Sequence, residues 1–260
     1  MWQSGSCRLE RTHVIRRCMI STSQFYFGAT LILVLYLFTP VAAQLRDHDH
    51  AVTHHFAGAP RWEGSVDGIA YSQFNHHLAA AFVLLIGLSE LLAAFALRSL
   101  AWTRFLLPAA MLAAGGYLLG WSDHDAWPIG SLSFAQTFAA DDLEIQQHKL
   151  YALLFLSVGT VEALRWLGKI PGPAGAWPLP VLAIVAGLLL FAHEHGDNPA
   201  AHSIAMNHMI MGTIAIAAGF FRLAPPASLR RDGLAGHRVW QFAWPGLILL
   251  IGVQLLLYTE

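Results

Sequence analysis

Apolar residues recur along the chain in six runs that are separated by short polar connections. Each run holds about 16–20 residues, close to the roughly 20 residues that an α-helix needs to cross the hydrocarbon core of a bilayer. The runs cover residues 78–97, 105–121, 150–167, 177–192, 207–223 and 242–258. The pattern predicts an all-α integral membrane protein in which six transmembrane helices form one bundle.

The composition agrees with a chain that lies largely in lipid. Hydrophobic residues make up 56% of the chain and charged residues only 12%, whereas soluble domains carry about 25% charged residues. The expected partner is therefore the lipid bilayer. The formal net charge of -1 lacks the basic excess that is typical of nucleic-acid-binding proteins, so we expect no nucleic acid as a partner.

A basic segment followed by a short apolar stretch opens the chain. Several arginines precede the apolar residues 27–38, and the small-residue sequence TPVAAQ follows them. This order predicts a cleavable secretory signal peptide over residues 1–43. Two alternatives stay open: a start at Met19, which would make residues 1–18 a mis-assigned extension, and an uncleaved first helix. Both cysteines lie in this segment, so a mature chain from Gln44 would have no thiolate ligand.

A histidine-rich segment follows the predicted signal peptide. Residues 44–74 contain His48, His50, His54 and His55, and a short tract of this composition favours metal binding. We expect this segment to be extracytoplasmic. The predicted six-span transmembrane domain then occupies residues 75–260.

Positive charges are distributed unevenly between the connections on the two sides of the predicted bundle. The connections at 122–147 and 193–206 contain several acidic residues but no Lys or Arg. By the positive-inside rule, this acidic side faces away from the cytoplasm. We therefore expect a multi-pass protein of the bacterial inner (cytoplasmic) membrane. The N-terminus of the mature chain and the C-terminus would both lie on the periplasmic side.

Polar residues recur at a constant offset of 71 positions. His77 and His148 are related by this offset, as are His124 and His195. Shared polar positions at one offset predict that the bundle is built from repeated helical hairpins. The repeat units cover about 75–128 and 146–199, with a weaker third unit over 206–260.

Eight histidines are expected at the periplasmic rim of the bundle. Neutral imidazole is the commonest metal ligand, and polar side chains at membrane depth are costly and therefore indicate function. Asp123 and Glu194 would bind the metal directly or orient the imidazole rings. The first candidates occupy repeat positions: His77, His124, His148, His195 and His208. The other candidates are His76, His193 and His202.

The residue types leave the metal open among copper, zinc and iron. Imidazole suits all three ions, and thioether sulfur favours Cu(I). Because Met206, Met209 and Met211 lie close to His208 in the sequence, copper is favoured. Haem held by two axial histidines is an alternative cofactor. No HExxH, CxxC or Walker-type motif narrows the choice.

These features predict a membrane protein with a transition-metal site at its periplasmic rim, used for metal handling or transport. A periplasmic metal carrier or a larger membrane complex would be its partner. One alternative is a metal-dependent membrane enzyme, either an oxidoreductase or a zinc hydrolase, that acts at the outer face with Asp123 or Glu194 as general base. The other is a bis-His haem electron-transfer subunit.

Glu90 and Glu162 are the only acidic residues within the predicted spans. They lie roughly 20 Å below the histidine rim, at 1.5 Å of helix rise per residue. We expect them to pair with Arg98 and Arg165 near the inner interface. The middle of the bundle holds few other polar residues, which disfavours an ion path through it.

Overall fold

The computed structural model describes residues 65–95, 98–139, 142–170, 173–193, 200–223 and 234–259. The predicted signal peptide and the four histidines between residues 48 and 55 lie outside these ranges. Two of the candidate metal ligands, Glu194 and His195, lie outside them as well.

Helices are the only regular secondary structure among the described residues, which contain no β-strand. The α-helices are α1 (Val66–Ala94), α2 (Leu106–Gly120), α3 (Phe134–Ala139), α4 (Leu143–Trp166), α5 (Pro178–Leu190), α6 (Ala201–Leu223) and α7 (Leu234–Leu256). Two short 3-10 helices cover Arg98–Phe105 and Pro173–Ala176.

Each predicted apolar run overlaps one of α1, α2, α4, α5, α6 and α7, which are called the six long helices below to distinguish them from the six-residue α3. Within the described residues, three helical stretches are long and apolar enough to cross a membrane, namely Val66–Ala94, Ser99–Gly120 and Ala201–Leu223. The segments Pro178–Leu190 and Gln241–Leu256 are apolar helices of shorter length. An all-helical protein with candidate membrane-spanning helices is therefore confirmed.

Two of the long helices begin well before their apolar runs, at polar capping residues. The side chain of Ser65 accepts a hydrogen bond from the backbone N–H of Gly68 at 3.1 Å and starts α1. Asp142 accepts from the N–H of Ile145 at 3.2 Å and starts α4. Such caps satisfy backbone donors at a helix start, so these helices carry polar first turns that hydropathy alone does not reveal.

The six long helices form a closed ring around a central cavity. Along the chain, α1 packs on α2, α2 on α4, α4 on α5, α5 on α6 and α6 on α7, and α7 closes the ring against α1. The end of the ring where α2 and α5 finish and α4 and α6 begin is called the outer end. The opposite end is called the inner end. Leu107, Met111, Leu189 and Ile251 are among the residues of the apolar core.

A buried carboxylate joins three helices near the inner end. Glu90 of α1 accepts a hydrogen bond from Nε1 of Trp244 at 3.0 Å and pairs with Arg222 of α6 at 2.7 Å. The sequence predicts Arg98 as its partner, but the side chain of Arg98 lies outside the described part of the structure. The ring brings the C-terminal end of α6 beside Glu90, so Arg222 neutralises the carboxylate.

The expected pairing of Glu162 with Arg165 is confirmed. Nε and Nη2 of Arg165 donate to Oε2 of Glu162 at 2.9 and 2.6 Å. The two residues are one turn apart on α4, where side chains at this spacing face each other. The guanidinium also lies 4.4 Å from the centre of the Trp166 ring. The charge of Glu162 is thus balanced within its own helix.

α5 and α6 approach each other closely at two glycines. A Cβ atom added to Gly187 would lie 2.6 Å from the carbonyl oxygen of Gly212, and a Cβ on Gly212 would lie 2.6 Å from that of Gly187. Small residues at such crossings let helix backbones pack closely in membranes.

We predict that Gly187→Ala destabilises the protein by about 1–3 kcal/mol, because the added methyl group meets backbone that must move. The matched control is Gly116→Ala on α2, where an added Cβ has no neighbour within 4 Å. Both substitutions bring the same gain in helix propensity. The measurement is unfolding of the purified protein in detergent, and equal stabilities of the two variants would contradict the packing of α5 on α6.

Candidate functional site

The connection after α2 is held against α1 by two side chains of that helix. The hydroxyl of Tyr71 donates to the carbonyl of Trp121. Nδ2 of Asn75 donates to the carbonyl of Ser122 at 3.0 Å. These contacts fix the backbone just before Asp123, whose side chain is buried at the outer end of the ring.

The Asp123 carboxylate accepts hydrogen bonds on both of its oxygens. Oδ1 accepts from Nδ1 of His148 at 2.6 Å. Oδ2 accepts from the hydroxyl of Ser122 at 2.6 Å and pairs with Nζ of Lys149 at 2.8 Å. The carboxylate therefore joins the connection after α2 to two consecutive residues of α4.

The ammonium group of Lys149 serves α2 as well as Asp123. It donates to the carbonyls of Leu118 and Leu119 at 3.2 and 3.0 Å. These carbonyls belong to the last turn of α2, where backbone acceptors lack partners within the helix and a positive charge is favoured. Lys149 is only 2% exposed, and these three acceptors satisfy all the donors of its ammonium group.

The environment of Asp123 favours its charged form. Burial alone would raise the pKa of the carboxyl group, but the charges and hydrogen bonds of His148 and Lys149 outweigh burial and hold the pKa below its ordinary value. Asp123 is therefore a carboxylate at neutral pH and keeps its hydrogen bond to Nδ1 of His148.

His148 and His193 are oriented in the same way by neighbouring oxygens. Nδ1 of His193 lies 2.5 Å from Oε1 of Gln147, and Nε2 of the Gln147 amide donates to the carbonyl of Ala192 at 3.0 Å, which fixes the direction of the amide. With the proton on Nδ1, a neutral imidazole carries its lone pair on Nε2. A histidine ring held through one nitrogen by an oxygen is the usual arrangement of a metal-binding histidine.

Glu144 completes a group of three residues with these two histidines. One ligand atom from each of Glu144, His148 and His193 lies within 4.8 Å of the others. Glu144 and His148 are four residues apart on α4 and share one face of the helix. His193 follows the end of α5, so the group bridges two neighbouring helices at the outer end.

Two further histidines extend this group into a row of rings across the outer end. The ring centres of His148 and His193 are 5.4 Å apart, those of His193 and His208 are 4.8 Å apart, and those of His208 and His76 are 5.8 Å apart. Tyr258 stacks on His76 at 3.9 Å. The name "histidine row" is used below for His76, His148, His193 and His208.

Three other histidines proposed from the sequence lie apart from the histidine row. Nε2 of His77 is 3.1 Å from the carbonyl of Tyr258. His124 pairs with Asp125 at 3.1 Å and is partly exposed beside the mouth of the cavity. His202 is exposed on the first turn of α6.

Glu144, Gln147 and Lys149 are residues of the site that sequence reasoning did not select as candidates. The spacing of Glu144 from His148 was the available signal, because residues four apart on a helix share a face. Lys149 carried no such signal, since its role depends on how the end of α2 meets α4.

Comparison of the chain with known protein families, with curated proteins and with solved structures finds no match in any of the three.

We predict that Asp123 and Lys149 are energetically coupled. Lys149→Met leaves a buried carboxylate that has lost its ammonium partner, and Asp123→Asn leaves the ammonium group without its counter-charge. Breaking a buried pair from one side costs about 3–5 kcal/mol. In the double variant no buried charge is left unbalanced, so its loss of stability should be smaller than the sum of the single losses by at least about 1 kcal/mol.

The measurement is a double-mutant cycle on the unfolding of the protein in detergent. Lys169→Met is the control, because Lys169 is exposed near the inner end and its removal should change stability by less than about 0.5 kcal/mol. Additive losses for Asp123→Asn and Lys149→Met would show that the two groups do not stabilise each other.

Proposed function

We propose that this chain is a six-span membrane protein that binds a transition-metal ion at the outer end of its helix ring. The donors would be Glu144, His148 and His193. The observation that carries the proposal is their convergence to within 4.8 Å, with the Nδ1 atoms of both histidines already held by oxygen atoms.

The three donor residues limit which metal ion would bind. Two imidazoles and one carboxylate suit zinc, iron and Cu(II). Thioether sulfur favours Cu(I). Met206 and Met209 are 45% and 40% exposed, whereas Met211 is 2% exposed and lines the same cavity as His193 and His208. Copper is therefore retained in our proposal as the favoured metal, ahead of zinc and iron.

Metal handling at the outer face is the role that we propose first. Below the histidine row the cavity walls are mainly apolar down to Trp244, and an ion that crosses a membrane needs polar groups to replace its water. The ion would thus reside at the outer end, where it could be exchanged with a periplasmic carrier or a partner complex, rather than pass through the ring.

A metal-dependent membrane enzyme is the second candidate. The observation that favours it is the cavity, since His148 and His193 line the same cavity as the apolar residues of the ring. A substrate in this cavity would lie next to the ion. A zinc or iron centre with two imidazoles and one carboxylate leaves coordination positions open for such chemistry.

The orientation that we propose places the outer end in the periplasm and the chain in the bacterial inner membrane, after removal of a signal peptide. Arg104, Arg165, Lys169 and Arg222 all belong to segments at the inner end, as the positive-inside rule requires of a cytoplasmic face. Lys149 is the exception, but it is buried and neutralised by Asp123.

We predict that the purified protein contains about one transition-metal ion per site and that His148→Ala combined with His193→Ala removes it, because two of the three donors are lost. Elemental analysis for copper, zinc and iron is the measurement. His202→Ala is the control, since this histidine is exposed and outside the row. Histidines of the N-terminal segment give the same background in every variant. Unchanged metal content in the double variant would refute the site.

We predict that a cysteine at position 131 reacts with a membrane-impermeant maleimide in spheroplasts, whereas one at position 169 reacts only after the membrane is opened. The variants Ser131→Cys and Lys169→Cys place exposed residues near the outer and inner ends. Cys7 and Cys18 are replaced by serine in both to remove background. Reversed labelling would overturn the orientation but leave the metal site untouched.

A further inference from the structure

The ring encloses one elongated cavity that reaches from the outer end toward the inner end. Its volume is about 320 Å³, and all six long helices contribute to its walls. Along α1 the lining residues extend from Gly68 to Ile86. At 1.5 Å per residue these positions span about 27 Å of helix, so the cavity is deep enough for a long, narrow molecule.

The walls of the cavity change from polar to apolar along its length. The outer part is lined by the histidine row and by polar residues such as Asn75 and Asp123. The inner part is lined by Phe82, Leu182 and Ile248 and ends at Trp244. Apolar walls of this kind favour an apolar occupant over water, because water there would lack hydrogen-bond partners.

The charges at the mouth disfavour an anionic occupant. Asp125, Asp142 and Glu144 line the cavity, together with Asp123, whose charge is already balanced by Lys149. No Lys or Arg is among its lining residues in the described part of the chain. A carboxylate or phosphate head would be repelled by these acidic groups, and no lining Lys or Arg would balance its charge. An uncharged hydroxyl or carbonyl head is not repelled in this way.

We infer that the cavity binds an uncharged, single-chain amphiphile with a hydroxyl or carbonyl head. The head lies at the histidine row, where imidazole and amide groups exchange hydrogen bonds with it. The apolar chain runs between the helices toward Trp244. This inference does not depend on the bound metal. If the metal site of the proposed function exists, it lies at the head of the bound molecule.

The test uses the full chain in lipid nanodiscs, freed of metal with a chelator. The probe is hexadecanol that carries a photoreactive diazirine on its chain, and its adducts are located by mass spectrometry. We expect saturable adducts on cavity residues of the inner part, which excess unlabelled hexadecanol displaces. Adducts confined to the lipid-facing surface would overturn the inference.

A second probe with the same alkyl chain but a charged head tests whether the cavity prefers an uncharged head. Diazirine-bearing hexadecyl phosphate should label the cavity residues at least about tenfold less at equal concentration, because its charged head is disfavoured at the mouth. Equal or stronger labelling by the phosphate would refute the uncharged head. Retention of a bilayer phospholipid in the cavity, detected by native mass spectrometry in place of the probe, would refute the single-chain ligand.

A matched pair of variants on α2 tests the location. Ala114 is 5% exposed and lines the cavity, whereas its neighbour Ala113 is exposed on the outside of the ring. Ala114→Phe should lower the saturable labelling at least about tenfold by filling the cavity, and Ala113→Phe should leave it unchanged. Equal effects would contradict binding inside the ring.

A further variant and a second measurement separate this inference from the proposed metal site. Ala215→Phe fills the cavity from α6 on the opposite wall and should reproduce the loss of labelling even if Ala114→Phe fails to fold. Metal content is measured in parallel. Cavity labelling in a protein that binds no metal would support the ligand and refute the metal site. Stoichiometric metal without cavity labelling would support the metal site and refute the ligand.

Discussion

The buried carboxylate of Asp123 is the constraint on which the outer end of the molecule depends. A carboxylate removed from water must be balanced by nearby charge and hydrogen bonds. Here Lys149 supplies the charge, and His148 and Lys149 supply hydrogen bonds. Lys149 in turn satisfies the last carbonyls of α2. The end of one helix, the connection that follows it and the start of the next are therefore placed together. The orientation of His148 follows from that arrangement.

The histidine row and the apolar cavity are two parts of one arrangement. The polar first turns of α1 and α4 and the residues that follow the ends of α2 and α5 bring imidazole and carboxylate groups to a single level, while the apolar runs line the space below. Polar groups at that level are stabilised by one another, as Gln147 and His193 illustrate. The result is a polar site that faces directly into an apolar interior, which is an uncommon combination in soluble proteins and a natural one in a membrane bundle.

The six helices could be predicted from apolar runs alone, but their polar starts and their rotation could not. α1 begins at Val66 because Ser65 caps it, twelve residues before its apolar run. His76 and His77 are adjacent in sequence and differ by about 100° around the helix. His76 joins the row and His77 contacts the backbone of Tyr258. The preference for repeat positions selected His77 first, because an offset in sequence carries no information on which face turns inward.

The seam between α1 and α7 joins the two ends of the described chain. His77 and the Tyr258 carbonyl that it contacts are 181 residues apart, and Glu90 meets both Arg222 and Trp244 across the same region. When the helices join the fold in chain order, this seam is the last interface to form. Glu90 then meets Trp244 and Arg222 only once α6 and α7 are in place, so closure of the ring and formation of these two contacts are one event.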